Sequence, residues 1–412
     1  MNIRANALLH ADRVRIAELG AVVFLWQAAV GVYFLSLVQQ YLPQELNTGA
    51  AYPGYAMASY GVAKFLWQTP AGWIADRIGR RVTMIAGIAI SVPVLAAMMS
   101  FPDEQAFLGL SAVLGLGAAT MWPAFMAHVG ETTPHARRAR TMSVLNLAQM
   151  AGIGAGTLAG VLMVDFVTYS AAFWICILFN VLTLAVVLQR LPQRDAHRTE
   201  IIRVDEEAEP VPVHDRNWTP GVVTLAVIVL FLTLGTSLHT PMIGAYTRDV
   251  LQVKMSYLAL LFPAPALVGA LALWKVGHFT DRFGRQVPLM AGLFVAALSI
   301  FLLTQTRQPF IVVNLVVLAG LAYAISIPAW GAAALDATDA GSRGLWLGML
   351  SAVQGLGVAG GQALGGTIGG VWGPLAPFKL AALLLCVALA LTMAHQHAQS
   401  RGHRRAAVVA RT

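Results

Sequence analysis

Runs of about twenty nearly uncharged apolar residues follow one another along most of the chain, and each is long enough to cross a bilayer as a helix. They cover roughly 17–41, 51–72, 82–101, 105–129, 141–164 and 169–190, then 219–246, 255–277, 287–305, 309–333, 345–370 and 374–396. Of the 412 residues 58% are hydrophobic and 11% charged, whereas a soluble domain carries roughly 25% charged residues. A water-soluble fold of this length cannot bury that much apolar surface, so the solvent implied is lipid. Lipid offers the backbone no hydrogen bonds, which leaves helices as the economical spanning structure. The fold class expected is an all-α integral membrane protein with twelve transmembrane helices.

Residues 191–218, LPQRDAHRTEIIRVDEEAEPVPVHDRNW, break the pattern with charge and proline and read as a solvated linker. The expected organisation is a six-helix half over 1–190, a linker over 191–218, a second six-helix half over 219–398 and a basic tail over 399–412. The net charge of +8 comes from arginines gathered on alternate connections. Arg4, Arg13 and Arg15, Arg77, Arg80 and Arg81, Arg137, Arg138 and Arg140, and those of the linker and tail all fall on one side. The other side carries Arg248, Lys254, Arg307 and Lys379. The richer side is assigned to the cytoplasm, with both termini and the linker, and no nucleic-acid partner is expected. The N-terminal segment is polar and basic without the apolar core of a signal peptide, so the first helix is expected to be retained. Cys176 and Cys386 lie inside apolar runs and read as packing residues.

A shift of 205 residues lays the first half on the second. Gly72 meets Gly277, Asp76 and Arg77 meet Asp281 and Arg282, and Gly79 and Arg80 meet Gly284 and Arg285. Farther on, Gly115 meets Gly320, Pro123 meets Pro328, Glu131 meets Asp336, Arg138 meets Arg343 and Gln149 meets Gln354. Gly152, Gly156 and Gly160 meet Gly357, Gly361 and Gly365. Two six-helix halves of like orientation follow.

The connection after the second run reads Gly72-Trp-Ile-Ala-Asp76-Arg77-Ile-Gly79-Arg80-Arg81, and that after the eighth Gly277-His-Phe-Thr-Asp281-Arg282-Phe-Gly284-Arg285-Gln286. Both resemble the signature loop of the major facilitator superfamily, Gly-x-x-x-Asp-Arg-x-Gly-Arg-Arg/Lys. With the repeat and the span count the resemblance covers essentially the whole chain. It implies a transporter fold of two pseudo-symmetric halves, with Asp76 holding the halves together on the cytoplasmic side against the start of the eleventh helix. Arg77, Gly79, Arg80, Glu131, Arg138, Asp281, Arg282, Gly284, Arg285, Asp336 and Arg343 are assigned to the same conformational lock. The alternative for the arginines is topology alone.

The fourth run carries Gly115-Leu-Gly117-Ala-Ala119, similar to the family motif Arg-x-x-Gln-Gly-x-Gly-Ala-Ala, but Ser111 and Leu114 stand at the arginine and glutamine positions. The side chain usually associated with proton transfer is therefore replaced. The fifth run resembles a degraded antiporter motif, with Thr157 in place of proline and Val161 in place of the last glycine. Gly152, Gly156, Gly160, Gly357, Gly361 and Gly365 serve equally as a smooth face for close helix packing.

Ionisable groups within a span are costly and mark functional candidates. Lys64 either faces a cavity or snorkels to headgroups, and Lys275 reads as snorkelling. Asp165, His128 and Glu131 sit near helix ends. His239, next to Pro241, is the titrating group best suited by type to carry a proton; the alternative is a hydrogen-bonding packing residue. The resemblance places the first, fourth, seventh and tenth helices around a central cavity. It nominates Gln27, Tyr33, Gln39, Trp122, His239, Tyr246, Asn314, Tyr323 and Trp330 beside Lys64. Aromatic rings with scattered amides suit an amphipathic or largely uncharged small molecule.

The sequence shows no nucleophile with a neighbouring base, no metal-ligand cluster and no nucleotide-binding Gly-Lys-Ser/Thr loop. The expectation is a monomeric secondary transporter in the cytoplasmic membrane, not an enzyme, with no cofactor. It would export amphipathic small molecules by alternating access, with protons as the candidate coupling ion. An uptake carrier for a neutral metabolite and a non-transporting membrane sensor are the alternatives.

Overall fold

The computed structural model describes residues 2–133, 138–191, 220–263, 286–336 and 343–409, with side chains described for 14, 16–133, 141–191, 223–263, 287, 289–322 and 349–397. Among the described residues all regular structure is helical. Helix α1 covers Asn2–Val32 and runs on through a π-helical stretch, Tyr33–Tyr41, to Leu42–Gln44. It is followed by α2 (Tyr52–Ile78), α3 (Arg80–Ser100), α4 (Glu104–Thr132), α5 (Arg138–Phe166) and α6 (Tyr169–Arg190). Helix α7 (Pro220–Leu238) continues through Thr240–Met242 and Ile243–Ala245 into a second π-helical stretch, Tyr246–Val250. The remainder are α8 (Met255–Leu261), α9 (Gln286–Leu303), α10 (Pro309–Asp336), α11 (Arg343–Trp372) and α12 (Ala376–Val409). Two compact units divide the chain, Met1–Arg203 and Val204–Thr412.

Seven helices among the described residues are long and apolar enough to cross a membrane: Ile16–Gln44, Arg80–Ser100, Glu104–Thr132, Thr141–Phe166, Tyr169–Arg190, Val223–Val250 and Ala376–His397. Helix α2 has the length but is diluted by Lys64, Gln68 and Pro70, and α11 by glycines with Gln354 and Gln362. Leu289–Leu303 and Pro309–Ala322 are shorter apolar helices.

Local chemistry sets the helix boundaries. Asp103 caps α4 by accepting from the Ala106 N–H at 2.8 Å, and Thr168 caps α6 by accepting from the Ala171 N–H at 3.2 Å. Each satisfies an N–H that the first turn leaves without a carbonyl. Hydroxyls within helices turn back on their own backbone. Ser111 donates to the Phe107 carbonyl at 2.6 Å, Thr183 to Phe179 at 2.7 Å and Thr233 to Val229 at 2.8 Å. Such bonds satisfy polar groups that hydrocarbon cannot. Leu66, Leu147, Met150, Trp174, Leu356 and Leu383 point outward, as an apolar solvent permits.

Inside each unit the helices meet on small residues. A Cβ on Gly152 or Gly156 of α5 would run into the Phe24 or Ala28 carbonyl of α1, and one on Gly160 into the Ser36 hydroxyl. In the second unit, Cβ atoms on Gly357, Gly361 and Gly365 of α11 would strike Thr233, Ser237 and the Leu238 carbonyl of α7. Bare glycine faces let two backbones approach this closely and gain dispersion contacts over their length.

The repeat also appears in side-chain contacts. Tyr41 meets Phe173 edge-on at 5.0 Å, and 205 residues later Tyr246 meets Phe378 at 5.0 Å. Each tyrosine belongs to a π-helical stretch, and each pair ties the first helix of its unit to the last.

Candidate functional site

The turn between α2 and α3 gathers several polar contacts of the first unit. Its single residue, Gly79, adopts φ 98° and ψ 145°, a region open essentially to glycine alone. The sharp reversal puts Asp76, in the last turn of α2, beside Arg80, which opens α3, and the two form an ion pair. The Arg80 Nε donates to Glu131 Oε1 at 3.1 Å. Glu131 occupies the last turn of α4, where unpaired carbonyls disfavour a negative charge, so the guanidinium offsets an unfavourable placement. Arg80 thus joins α2, α3 and α4.

The neighbouring arginines have separate partners. Arg81 donates to the Val187 carbonyl at 3.4 Å and to that of Leu188, supplying a cation to the carbonyl end of α6. Arg77 lies over the Trp73 ring with 3.6 Å between its guanidinium carbon and the ring centroid, a cation–π contact. The contact of Arg81 is not legible in the sequence, because its partners on α6 lie over a hundred residues away, whereas Trp73 and Arg77 stand four apart on one helix face.

Aromatic rings fill the interior of the same unit. Trp26 of α1 stacks on Trp122 of α4 at 5.7 Å, and Trp122 on Phe125 at 6.0 Å. Tyr33 stacks on Phe107 at 6.4 Å, while Tyr60 meets Phe34 edge-on at 5.1 Å. The Tyr33 hydroxyl donates to Ser111 Oγ at 2.7 Å, so the serine at the usual arginine position holds a tyrosine. A cavity of about 30 Å³ lies between Trp26, Tyr33, Tyr60, Ser91, Cys176 and Asn180, among others, which is room for a water molecule or two. Gln27 and Gln39 are buried on α1. Lys64 lies partly buried in the middle of α2. Trp67, one turn on, donates from Nε1 to Thr120 Oγ1 of α4 at 3.0 Å.

In the second unit, the His239 ring lies 5.3 Å from that of Phe378. Tyr246 donates to the Leu303 carbonyl of α9 at 2.8 Å. Asn314 is exposed and donates to the Phe310 carbonyl of its own helix at 2.8 Å. Asp281, Arg282, Gly284 and Arg285 lie outside the described residues, as do the side chains of Arg138, Tyr323, Trp330, Asp336 and Arg343. Among the described residues no three metal-ligating side chains gather.

The family model described as Major Facilitator Superfamily matches residues 19–305 and 225–408. An uncharacterized MFS-type transporter of Bacillus subtilis is 27% identical over 123 residues, covering 30% of this chain and 31% of that protein. Multidrug resistance protein 1 of Bacillus subtilis is 22% identical over 374 residues, 90% of this chain and 94% of the relative. A crystal structure of a variant of the nucleoside transporter NupG superposes with a TM-score of 0.74 at 13% identity, covering 92% of this chain and 99% of the other.

Proposed function

Because this chain belongs to the major facilitator superfamily and is a multi-pass membrane transporter, we propose that it exports amphipathic small molecules by alternating access, with protons as the candidate coupling ion. The observation that carries the reading is the chain of charges Asp76–Arg80–Glu131 at the α2–α3 turn. In this reading the turn lies at the cytoplasmic face, as the arginine distribution requires. Its ion pairs brace the ends of α2, α3 and α4 in one state of the cycle and rearrange in the other. A bistable contact of this kind gives two discrete states rather than a continuum.

The aromatic interior of the first unit supports a substrate with an apolar body, since flat rings offer large contact area at small entropic cost. The likeness to a protein named for multidrug resistance supports the outward direction. His239 is the proposed proton carrier. Its imidazole is the one side-chain type whose unperturbed titration falls near neutral pH.

Direction is tested in cells that lack exporters of their own. With the chain expressed, an amphipathic fluorescent dye should be retained at half or less of the level in vector controls. Retention above the controls would instead identify an uptake carrier and overturn the export assignment.

A further inference from the structure

We propose that Lys64 is the counter-charge for the transported molecule, and that the molecule is therefore an amphiphile with an anionic head such as a carboxylate, sulfonate or phosphate. The inference deepens the transporter reading and rests on it only in taking the bound molecule to be cargo. Lys64 lies twelve residues from the start of α2 and fourteen from its end, roughly 18 and 21 Å along the axis at the helical rise. A lysine side chain reaches only about a third of that distance, so the ammonium does not reach either end of the helix. The helix face settles the direction. Tyr60, Lys64 and Trp67 are spaced four and three apart and share one stripe.

That stripe meets neighbouring helices at Tyr60 and at Trp67, although Trp67 itself stays exposed. Trp67 bonds to Thr120 of α4 at 3.0 Å, and the Tyr60 ring meets Phe34 of α1 at 5.1 Å. A Cβ on Gly115 of α4 would collide with the Tyr60 carbonyl, so α2 is pressed against α4 at this level. Lys64 lies on α2 between these two contacts, partly buried.

Among the described residues no carboxylate pairs with it. Of the acidic side chains described in this unit, Glu45, Asp76, Asp103, Glu104, Glu131 and Asp165 lie at helix ends or in connections, and Glu18, within α1, lies 4.0 Å from Arg190. Among the described residues none forms an ion pair with Lys64. A cation in the middle of a helix read as crossing the membrane is costly without a carboxylate. An anionic guest relieves that cost, a neutral one does not, and a cationic one adds to it.

The test uses the full chain in nanodiscs and three probes with one apolar body: pyrenebutyrate, its uncharged amide and pyrenebutyltrimethylammonium. Binding is read as energy transfer from tryptophan to pyrene, with empty nanodiscs as background. Pyrenebutyrate should bind at least tenfold more tightly than the amide, and the trimethylammonium probe most weakly. Lys64→Gln and Lys64→Met should erase the advantage of the carboxylate while leaving amide binding intact, which also reports folding. Lys64→Arg should keep most of the advantage.

Nanodiscs with and without phosphatidylglycerol separate the two sources of such a head. Loss of pyrenebutyrate binding in the anionic lipid assigns the site to a lipid headgroup, and unchanged binding assigns it to a soluble amphiphile. Equal binding of the three probes to the parent protein, or a tenfold preference surviving in Lys64→Gln, overturns the proposal even if dye is exported. Carboxylate-selective binding that depends on Lys64 but comes without transport upholds the anion site, overturns its assignment to cargo and removes the exporter reading.

Discussion

Gly156→Leu is expected to prevent this protein from reaching a stable fold. A Cβ at position 156 would meet the carbonyl oxygen, carbonyl carbon and Cα of Ala28. All three are backbone atoms of a neighbouring helix, so no side-chain rotation makes room. Overpacking a tight interior costs about 1–3 kcal/mol where side chains can shift, and here α1 itself must move. The same helix face is occupied at Gly152 against the Phe24 carbonyl and at Gly160 against Ser36, so a displaced α1 loses those contacts too. A cost at or above ~3 kcal/mol is a large part of a typical stability of roughly 5–15 kcal/mol. Gly154 lies on the opposite, exposed side of α5, where a Cβ meets nothing within 4 Å. Gly154→Leu should therefore elute as a single species from size-exclusion chromatography and melt near the parent temperature, whereas Gly156→Leu should aggregate. Equal elution and melting of the two would remove the close-packing account.

Arg80→Ala should act in the opposite way, leaving the fold and removing transport. Arg80 pairs with both Asp76 and Glu131, and these carboxylates are 61% and 46% exposed. Ion pairs this exposed contribute ~1 kcal/mol or less to stability, so melting should change little. The contacts nevertheless join three helices, and their loss leaves two carboxylates without their cation at one turn. If they define one state of the cycle, the balance between states changes and flux should fall at least tenfold. Arg80→Lys should recover only part of it, because one ammonium lacks the planar fork that reaches two carboxylates at once. Parent-level flux in Arg80→Ala would show that this arginine serves only topology.

The fold class could be read in the sequence because lipid imposes a coarse rule: twenty apolar residues, a short polar connection, and the same again. The exceptions have physical causes. Helix α2 falls below the apolar threshold because it carries Lys64, Gln68 and Pro70, the residues that make it interesting. The contacts within the candidate site were much less legible. The spacing of Tyr60, Lys64 and Trp67 defines a stripe, but only the packed structure shows that α1 meets Tyr60 and α4 meets Trp67. Trp67 and Thr120 lie 53 residues apart, and nothing local in either segment points to the other. Tyr41–Phe173 and Tyr246–Phe378 obey the 205-residue repeat, yet tyrosine and phenylalanine are too ordinary in apolar runs to announce a pair. The Asn314 amide donates to the Phe310 carbonyl of its own helix, a bond that depends on rotamer and that composition does not reveal.

The most direct test of the central claim is flux through the purified chain reconstituted alone in sealed vesicles. Amphipathic fluorescent dyes would be offered outside, and a proton gradient, acidic within, would be imposed and then collapsed. The account predicts that dye accumulates only while the gradient lasts, and that vesicles holding folded Arg80→Ala protein do not accumulate it. Identical dye uptake by vesicles with the parent protein, with the variant and with no protein would contradict it.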